Sequence, residues 1–252
     1  MRKGFELMEK VYSRPIGLQK NINGYCPGCL HPAAGKIIMS VLEEFDLLEK
    51  TALVDGVGCC ASNGSYIAIV DRMGTPHGRP CAAASALKRC SPDTIVITYQ
   101  GDGDLASIGL AETMMAANRG DNITVFFINN ANYGMTGGQM APTTLMDMKT
   151  TTTPYGRSAE EHGYPMHMCE VLDALKAPSY LARVTCVDVP NARKARDAVK
   201  TAIQHQLDGK GFSMVEFISN CPTNWGVSPL ESLEFIKEKM LAEFPLGEFR
   251  NR

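Results

Sequence analysis

Two periodicities divide this chain. Short apolar runs, at Ala52-Leu53-Val54, Thr94 to Tyr99, Ile123 to Ile128, Ala182 to Val187 and Ser213 to Ile218, have the length and continuity of core strands in a parallel sheet. Between them apolar residues recur at helical spacing. Residues 33 to 49 carry Ile37, Ile38, Val41, Leu42, Phe45 and Leu48 on one stripe, and Asp104 to Asn118 carries Leu105, Ile108, Leu110, Met114 and Met115. An alanine-rich helix opens after His77-Gly78-Arg79-Pro80, and others are predicted over Cys169 to Leu175, Ala192 to Gln206 and Ser228 to Glu243. Strands alternating with helices predict an α/β fold, a mostly parallel sheet with helices on both faces. The organisation expected is one α/β unit over residues 1–252, with a polar N-terminal arm (1–24) and a C-terminal helix and tail (228–252).

In such sheets ligands bind beyond the carboxyl ends of the strands. Two predicted strands end on oxygen-bearing residues. The first runs into Gly101-Asp102-Gly103-Asp104 and the second into Asn129-Asn130, followed by the loop Tyr133-Gly134-Met135-Thr136-Gly137-Gly138-Gln139. Acidic and amide oxygens at neighbouring strand ends suit a hard cation such as Mg²⁺, which prefers oxygen ligands and often bridges to phosphate. A third strand end, Asp55-Gly56-Val57-Gly58-Cys59-Cys60, is built of small residues that let backbone approach a ligand closely. His77-Gly78-Arg79 at a helix start is a candidate anion contact. The segment from Pro142 to Pro165, rich in Thr, Gly and Pro, is long for a loop in a compact domain and reads as a contact surface or the edge of a site.

Composition narrows the class. A net charge of −2 makes no electrostatic case for nucleic acid or an anionic membrane surface. No apolar run reaches the roughly 20 residues of a membrane helix, and the charged N-terminus has no secretory pattern, so the expectation is a cytoplasmic protein. Nine cysteines in a reducing compartment point to metal or redox chemistry rather than a disulfide framework. Cys26-Pro27-Gly28-Cys29 puts two thiols on one tight turn and fits a soft metal centre, a redox dithiol or half of a zinc site. Cys59, with Cys60 as competitor, and Cys221 in Cys221-Pro222-Thr223-Asn224-Trp225-Gly226 sit at strand ends. Cys81, Cys90, Cys169 and Cys186 are read as small buried residues. Four thiols at loop ends suit a [4Fe-4S] cluster or structural zinc equally.

The combination of GDG, then Asn129-Asn130 and YGMTGGQ, resembles the thiamine diphosphate signature of the β subunits of 2-oxoacid:ferredoxin oxidoreductases. The CPGC at 26–29, the GVGC at 56–59 and the CPTNWG at 221–226 extend the likeness over nearly the whole chain, with Leu30 standing where glycine is common. The resemblance implies oxidative decarboxylation of a 2-oxoacid, of the 2-oxoglutarate or 2-ketoisovalerate type, to an acyl-coenzyme A, with electrons leaving through a [4Fe-4S] cluster to ferredoxin. It implies Mg²⁺ on Asp102, Asn130 and the Asn132 carbonyl, and thiamine diphosphate against Val57, Gly58, Cys59, Cys60, His77, Gly103, Asp104, Gly134 and Met135. The cluster would be held by Cys26, Cys29, Cys59 and Cys221. It also implies a partner α subunit, with γ or δ subunits in some relatives, because the Glu that activates the cofactor belongs to the other half of the site; no catalytic residue is therefore assigned to this chain. Two other readings use the same residues. A non-oxidative thiamine diphosphate decarboxylase or synthase subunit would not need the four cysteines, and a non-catalytic scaffold subunit would not need Asp102, Gly103 and Asn130.

Overall fold

The computed structural model describes residues 13–20, 23–67 and 70–252, so half of the expected N-terminal arm lies outside the described residues. Seven strands form one sheet: β1 Thr51–Asp55, β2 Asp71–Gly74, β3 Ile95–Gly101, β4 Thr124–Asn129, β5 Tyr180–Thr185, β6 Ser213–Ile218 and β7 Gly247–Asn251. Their order is β2-β1-β3-β4-β6-β5-β7. All pairings are parallel except that of β7, which runs antiparallel to β5 along the outer edge.

The strand residues sort by parity onto two cores. On one face Leu53, Ile97, Tyr99, Phe126, Ile128, Val215 and Phe217 pack against α1 (His31–Glu44) and a long later helix, Val189–Leu207. On the other, Val54, Val96, Val125, Phe127 and Met214 meet α2 (Pro80–Cys90), α3 (Leu110–Arg119) and the helix Met168–Asp173. Burial on both faces is why β1, β3, β4, β5 and β6 read as continuous apolar runs rather than alternating ones.

Four elements differ from the sequence expectation. β2 is short and exposed along its whole length, so no apolar run marks it. The helix expected over Asp104 to Asn118 is divided: a wide π-type turn, Gly103–Ile108, ends at Gly109 before α3 begins. A Cβ on Gly109 would lie 2.5 Å from the Gly78 carbonyl oxygen, so the break lets two loops touch. The expected polar tail supplies β7, and the expected last helix is likewise interrupted by a π-type turn, Ile236–Met240. Cys81 and Cys169 are buried as expected and Cys186 is half-buried, but Cys90 is exposed at the end of α2. Among the described residues no helix is long and apolar enough to cross a membrane.

The chain leaves β1 toward β2 and then crosses back to β3 on the other side of β1. Connections diverge in opposite directions at that point and open a crevice beyond the carboxyl ends of β1 and β3.

Candidate functional site

A cleft of about 480 Å³ occupies that crevice. Its walls are the loop after β1, the start of the turn after β3, the loop after β4 and His77 from the loop before α2. Val57, Gly58, Cys59, Cys60, His77, Asp102, Gly103, Asp104, Asn130, Asn132, Gly134 and Met135 all line it. The three loops that the sequence places at strand ends are therefore drawn into one site.

Asp102 is its buried floor. One carboxylate oxygen accepts the Gly103 N–H at 2.9 Å; the other accepts the backbone N–H of Asn132 at 3.1 Å, that of Asn130 at 3.3 Å and the Thr143 hydroxyl at 3.0 Å. Burial pushes its pKa up to about 7, against the pull of these donors. One terminal atom of the Asn130 amide stands 2.9 Å from the Asn132 carbonyl oxygen and 3.3 Å from the Asp102 carboxylate. With the amide NH₂ turned inward the triangle closes by hydrogen bonds. With the amide oxygen inward, three oxygens converge, which is the donor set a hard cation takes.

Asp104 has a different part. Its side chain accepts from His77 Nδ1 at 2.5 Å, the Gly78 N–H at 2.8 Å, the Val57 N–H at 3.4 Å and Gln100 Nε2 at 2.7 Å. A carboxylate so engaged joins three segments of the wall. The sequence expectation that Asp104 touches the diphosphate thus needs its backbone, since its negative side chain is turned into this network.

The cysteines gather at one side of the cleft. A Cβ built on Gly134 would lie 3.2 Å from the Cys59 sulfur and 3.6 Å from that of Cys221. Burial pushes the Cys29 thiol up to about 12, with further contributions from Cys221, Cys59 and Cys26. Burial likewise pushes Cys59 up to about 11, with Cys221 and Cys26 adding to it. These mutual influences place the four thiols in one neighbourhood, Cys26 being the exposed one. Among the described residues no three His, Cys, Asp or Glu side chains stand close enough together to hold a single metal ion. Cys60 is buried and donates to the Val57 carbonyl at 3.4 Å; burial, then Asp104 and Asp55, push it up to about 12.

The loop after β4 serves both halves of the site. The Asn132 N–H binds Asp102, while a Cβ on Gly134, two residues on, would lie beside the Cys59 and Cys221 sulfurs; burial pushes the Cys221 thiol up against the pull of Asn224. Asn224 Nδ2 donates to Cys221, at 3.3 Å. Four residues of the site carry no assignment from sequence. His31 lines the cleft, held by Tyr99 Oη at 2.9 Å and stacked on Tyr25, and burial pushes its pKa down to about 4. Gln100 anchors Asp104, Tyr133 covers Gly103, and Thr143 binds Asp102. Adjacency to CPGC and to YGMTGGQ was the available signal for His31 and Tyr133; nothing local marks Gln100.

A switch-point crevice with an oxygen cradle and small-residue walls defines a diphosphate-cofactor-binding α/β protein. Residues 56–217 match the family described as thiamine pyrophosphate enzyme, C-terminal TPP binding domain. The chain is 45% identical over 245 residues to ketoisovalerate oxidoreductase subunit VorA of Methanothermobacter thermautotrophicus, covering 97% of this chain and 51% of that protein. It is 35% identical to 2-oxoglutarate synthase subunit KorB of Methanocaldococcus jannaschii, covering 86% of this chain and 78% of that one. The solved structure of 2-oxoglutarate:ferredoxin oxidoreductase from Magnetococcus marinus, with 2-oxoglutarate, coenzyme A and succinyl-CoA bound, superposes with a TM-score of 0.81 at 25% identity, over 98% of this chain and 87% of that one. The chain belongs to the thiamine pyrophosphate enzyme family, among the 2-oxoacid oxidoreductase subunits. It spans about half the length of the VorA relative.

Proposed function

We propose that this chain is the thiamine diphosphate-binding β subunit of a cytoplasmic 2-oxoacid:ferredoxin oxidoreductase. The enzyme would convert a 2-oxoacid of the 2-oxoglutarate or 2-ketoisovalerate type and coenzyme A to an acyl-coenzyme A and carbon dioxide. Electrons would pass through a [4Fe-4S] cluster to ferredoxin. The observation that carries the reading is the loop after β4, which reaches both sides of the same cleft: the Asn132 N–H binds Asp102 in the oxygen cradle, and a Cβ on Gly134 would lie 3.2 Å from the Cys59 sulfur and 3.6 Å from that of Cys221.

The residues present fit the groups implied. Asp102, Asn130 and the Asn132 carbonyl would hold Mg²⁺, through the three atoms that already approach one another. The backbone and side chains of Val57, Gly58, Cys59, Cys60, His77, Gly103, Gly134 and Met135, and the backbone of Asp104, would bound the thiamine diphosphate. Cys26, Cys29, Cys59 and Cys221 would hold the cluster, and Cys60, buried and donating to the Val57 carbonyl, would not. When bound, thiamine diphosphate supplies the nucleophilic carbon and electron sink for decarboxylation, and the cluster a one-electron acceptor. The chain's own part is to fix both in one wall. Asp104 holds His77 and the Val57 and Gly78 amides in place, and the Asn224 side chain donates to Cys221 and orients it.

The single α/β unit would work with an α subunit that brings the activating glutamate, and with γ or δ subunits if the assembly has them. The apolar rim of the cleft supports a covering partner: Val57 is 45% and Met135 52% exposed.

Anaerobic reconstitution with iron, sulfide, Mg²⁺ and thiamine diphosphate tests the reading. A brown protein with broad absorption in the blue is expected, lost in Cys59→Ala and Cys221→Ala but kept in Cys60→Ala. Added alone to a panel of 2-oxoacids with a viologen acceptor, the chain should give no turnover. A colourless, zinc-loaded protein that still binds thiamine diphosphate would instead support the non-oxidative reading.

A further inference from the structure

The loop from Pro142 to Pro165 reaches the site through two adjacent threonines. Thr143 donates its hydroxyl to Asp102 at 3.0 Å. Thr144 donates to the Ala131 carbonyl at 2.6 Å and accepts the Ala141 N–H at 2.9 Å. Both are fully buried.

Ala131 is the unusual residue in this contact. It lies between Asn130 and Asn132 with a φ of +58°, left-handed backbone that an alanine adopts only at a cost. Its peptide groups are held on both sides. The N–H donates to the side-chain oxygen of Asn129 at 3.2 Å, and the carbonyl accepts from Thr144. Asn129 is itself anchored by donating to the buried Glu216 at 2.8 Å. This turn sets one Asn130 amide atom 2.9 Å from the Asn132 carbonyl oxygen and 3.3 Å from the Asp102 carboxylate.

The loop is in turn clasped by Arg157, a buried guanidinium. It donates to the carbonyls of Pro142 at 2.8 Å, Thr144 at 2.5 Å, Gly163 at 2.9 Å and Tyr164 at 2.6 Å. A loop whose one helical stretch among the described residues is Ala159–His162 is thereby kept in one conformation at the point where it meets the cradle.

We infer that Thr144 is a positioning residue of the cation cradle, which holds Ala131 in its left-handed turn so that the Asn130 amide stays beside both the Asn132 carbonyl and the Asp102 carboxylate. The inference rests on the proposed Mg²⁺ site. Thr144 touches none of the three oxygens, so it acts only through the turn.

Binding of Mn²⁺, read by electron paramagnetic resonance on the full chain with thiamine diphosphate present, tests this. Losing a support behind metal ligands weakens metal binding by roughly tenfold or more. Thr144→Val is therefore expected to bind Mn²⁺ about tenfold more weakly, and Thr144→Ser, which keeps the hydroxyl, close to the parent. Ala131→Gly removes the penalty for the left-handed backbone, so adding it to Thr144→Val should restore most of the lost affinity. Binding is compared where urea melts show every variant fully folded, so a change in overall stability does not account for a change in Mn²⁺ affinity. Parent-like Mn²⁺ binding in Thr144→Val, or loss that Ala131→Gly leaves untouched, overturns the positioning role. Failure of the parent chain itself to bind Mn²⁺ would remove the Mg²⁺ site on which both readings stand.

Discussion

His77 Nδ1 lies 2.5 Å from Asp104 Oδ1, the oxygen that also accepts the Gly78 N–H. Asp104 thereby ties the loop before α2 to the loop after β1 and to β3. Asp104→Asn keeps the shape, but with its amide oxygen toward the Val57, Gly78 and His77 donors its NH₂ meets the Gln100 NH₂, donor against donor. Hydrogen bonds to a charged group contribute about 1.5–3 kcal/mol, so thiamine diphosphate affinity should fall by about tenfold or more. Titration calorimetry checks this; parent-like affinity would mean that the strut is dispensable.

A Cβ on Gly103 would meet the Tyr133 ring at 2.2 Å. Neither the turn after β3 nor the loop after β4 can give way without moving cleft-lining residues. Gly103→Ala is expected to lower stability by about 1–3 kcal/mol and to weaken cofactor binding. Adding Tyr133→Ala should recover stability in a urea melt, and absence of recovery would place the strain elsewhere.

Arg183 and Glu216 are both fully buried and meet at 2.8 Å. Glu216 also accepts from Asn129 and from the Cys169 thiol. Arg183→Met would strand the Glu216 charge, and breaking such a buried pair costs about 3–5 kcal/mol. Arg183→Met with Glu216→Gln should be more stable than Arg183→Met alone. Equilibrium unfolding of the parent and the two variants decides the matter.

Glu170 hydrogen-bonds Arg183 through both oxygens, at 3.0 and 2.6 Å. Burial would raise its pKa, but the Arg183 hydrogen bonds and charge outweigh this and hold it below its ordinary value. A carboxyl depressed in the folded state stabilises above its unfolded pKa, and that stability is lost as pH falls through the folded value. Glu170→Gln should therefore narrow the stability difference between pH 7 and the acid limit of folding. Denaturation curves at several pH values below 6 provide the check.

Much of the fold was legible because burial on both faces writes core strands as apolar runs. Thr51–Asp55, Ile95–Gly101 and Ser213–Ile218 lie where the pattern puts them, to within a few residues. β2 and β7 escaped because edge strands need no such run: Asp71-Arg72-Met73-Gly74 is exposed throughout. The divided helix after Gly103 escaped because its apolar residues keep helical spacing across the break, while the cause, contact of Gly109 with Gly78, is between loops.

The site shows the same division. Residue types and spacing in GDG, Asn129-Asn130 and the cysteine segments determined which loops carry oxygen and sulfur donors, because such groups are costly to bury without a partner or ligand. Which donor faces which group was decided by tertiary structure alone. The Cys59 and Cys221 sulfurs both lie beside Gly134 while the Cys60 thiol donates to the Val57 carbonyl, and Asp102 and Asp104, two residues apart, serve different parts of the wall. Thr144 reaches a backbone carbonyl 13 residues away. The sequence by itself determined the donors and the strands that carry them; only packing at the crevice decided their directions, because side-chain direction follows from contacts between segments distant in the chain.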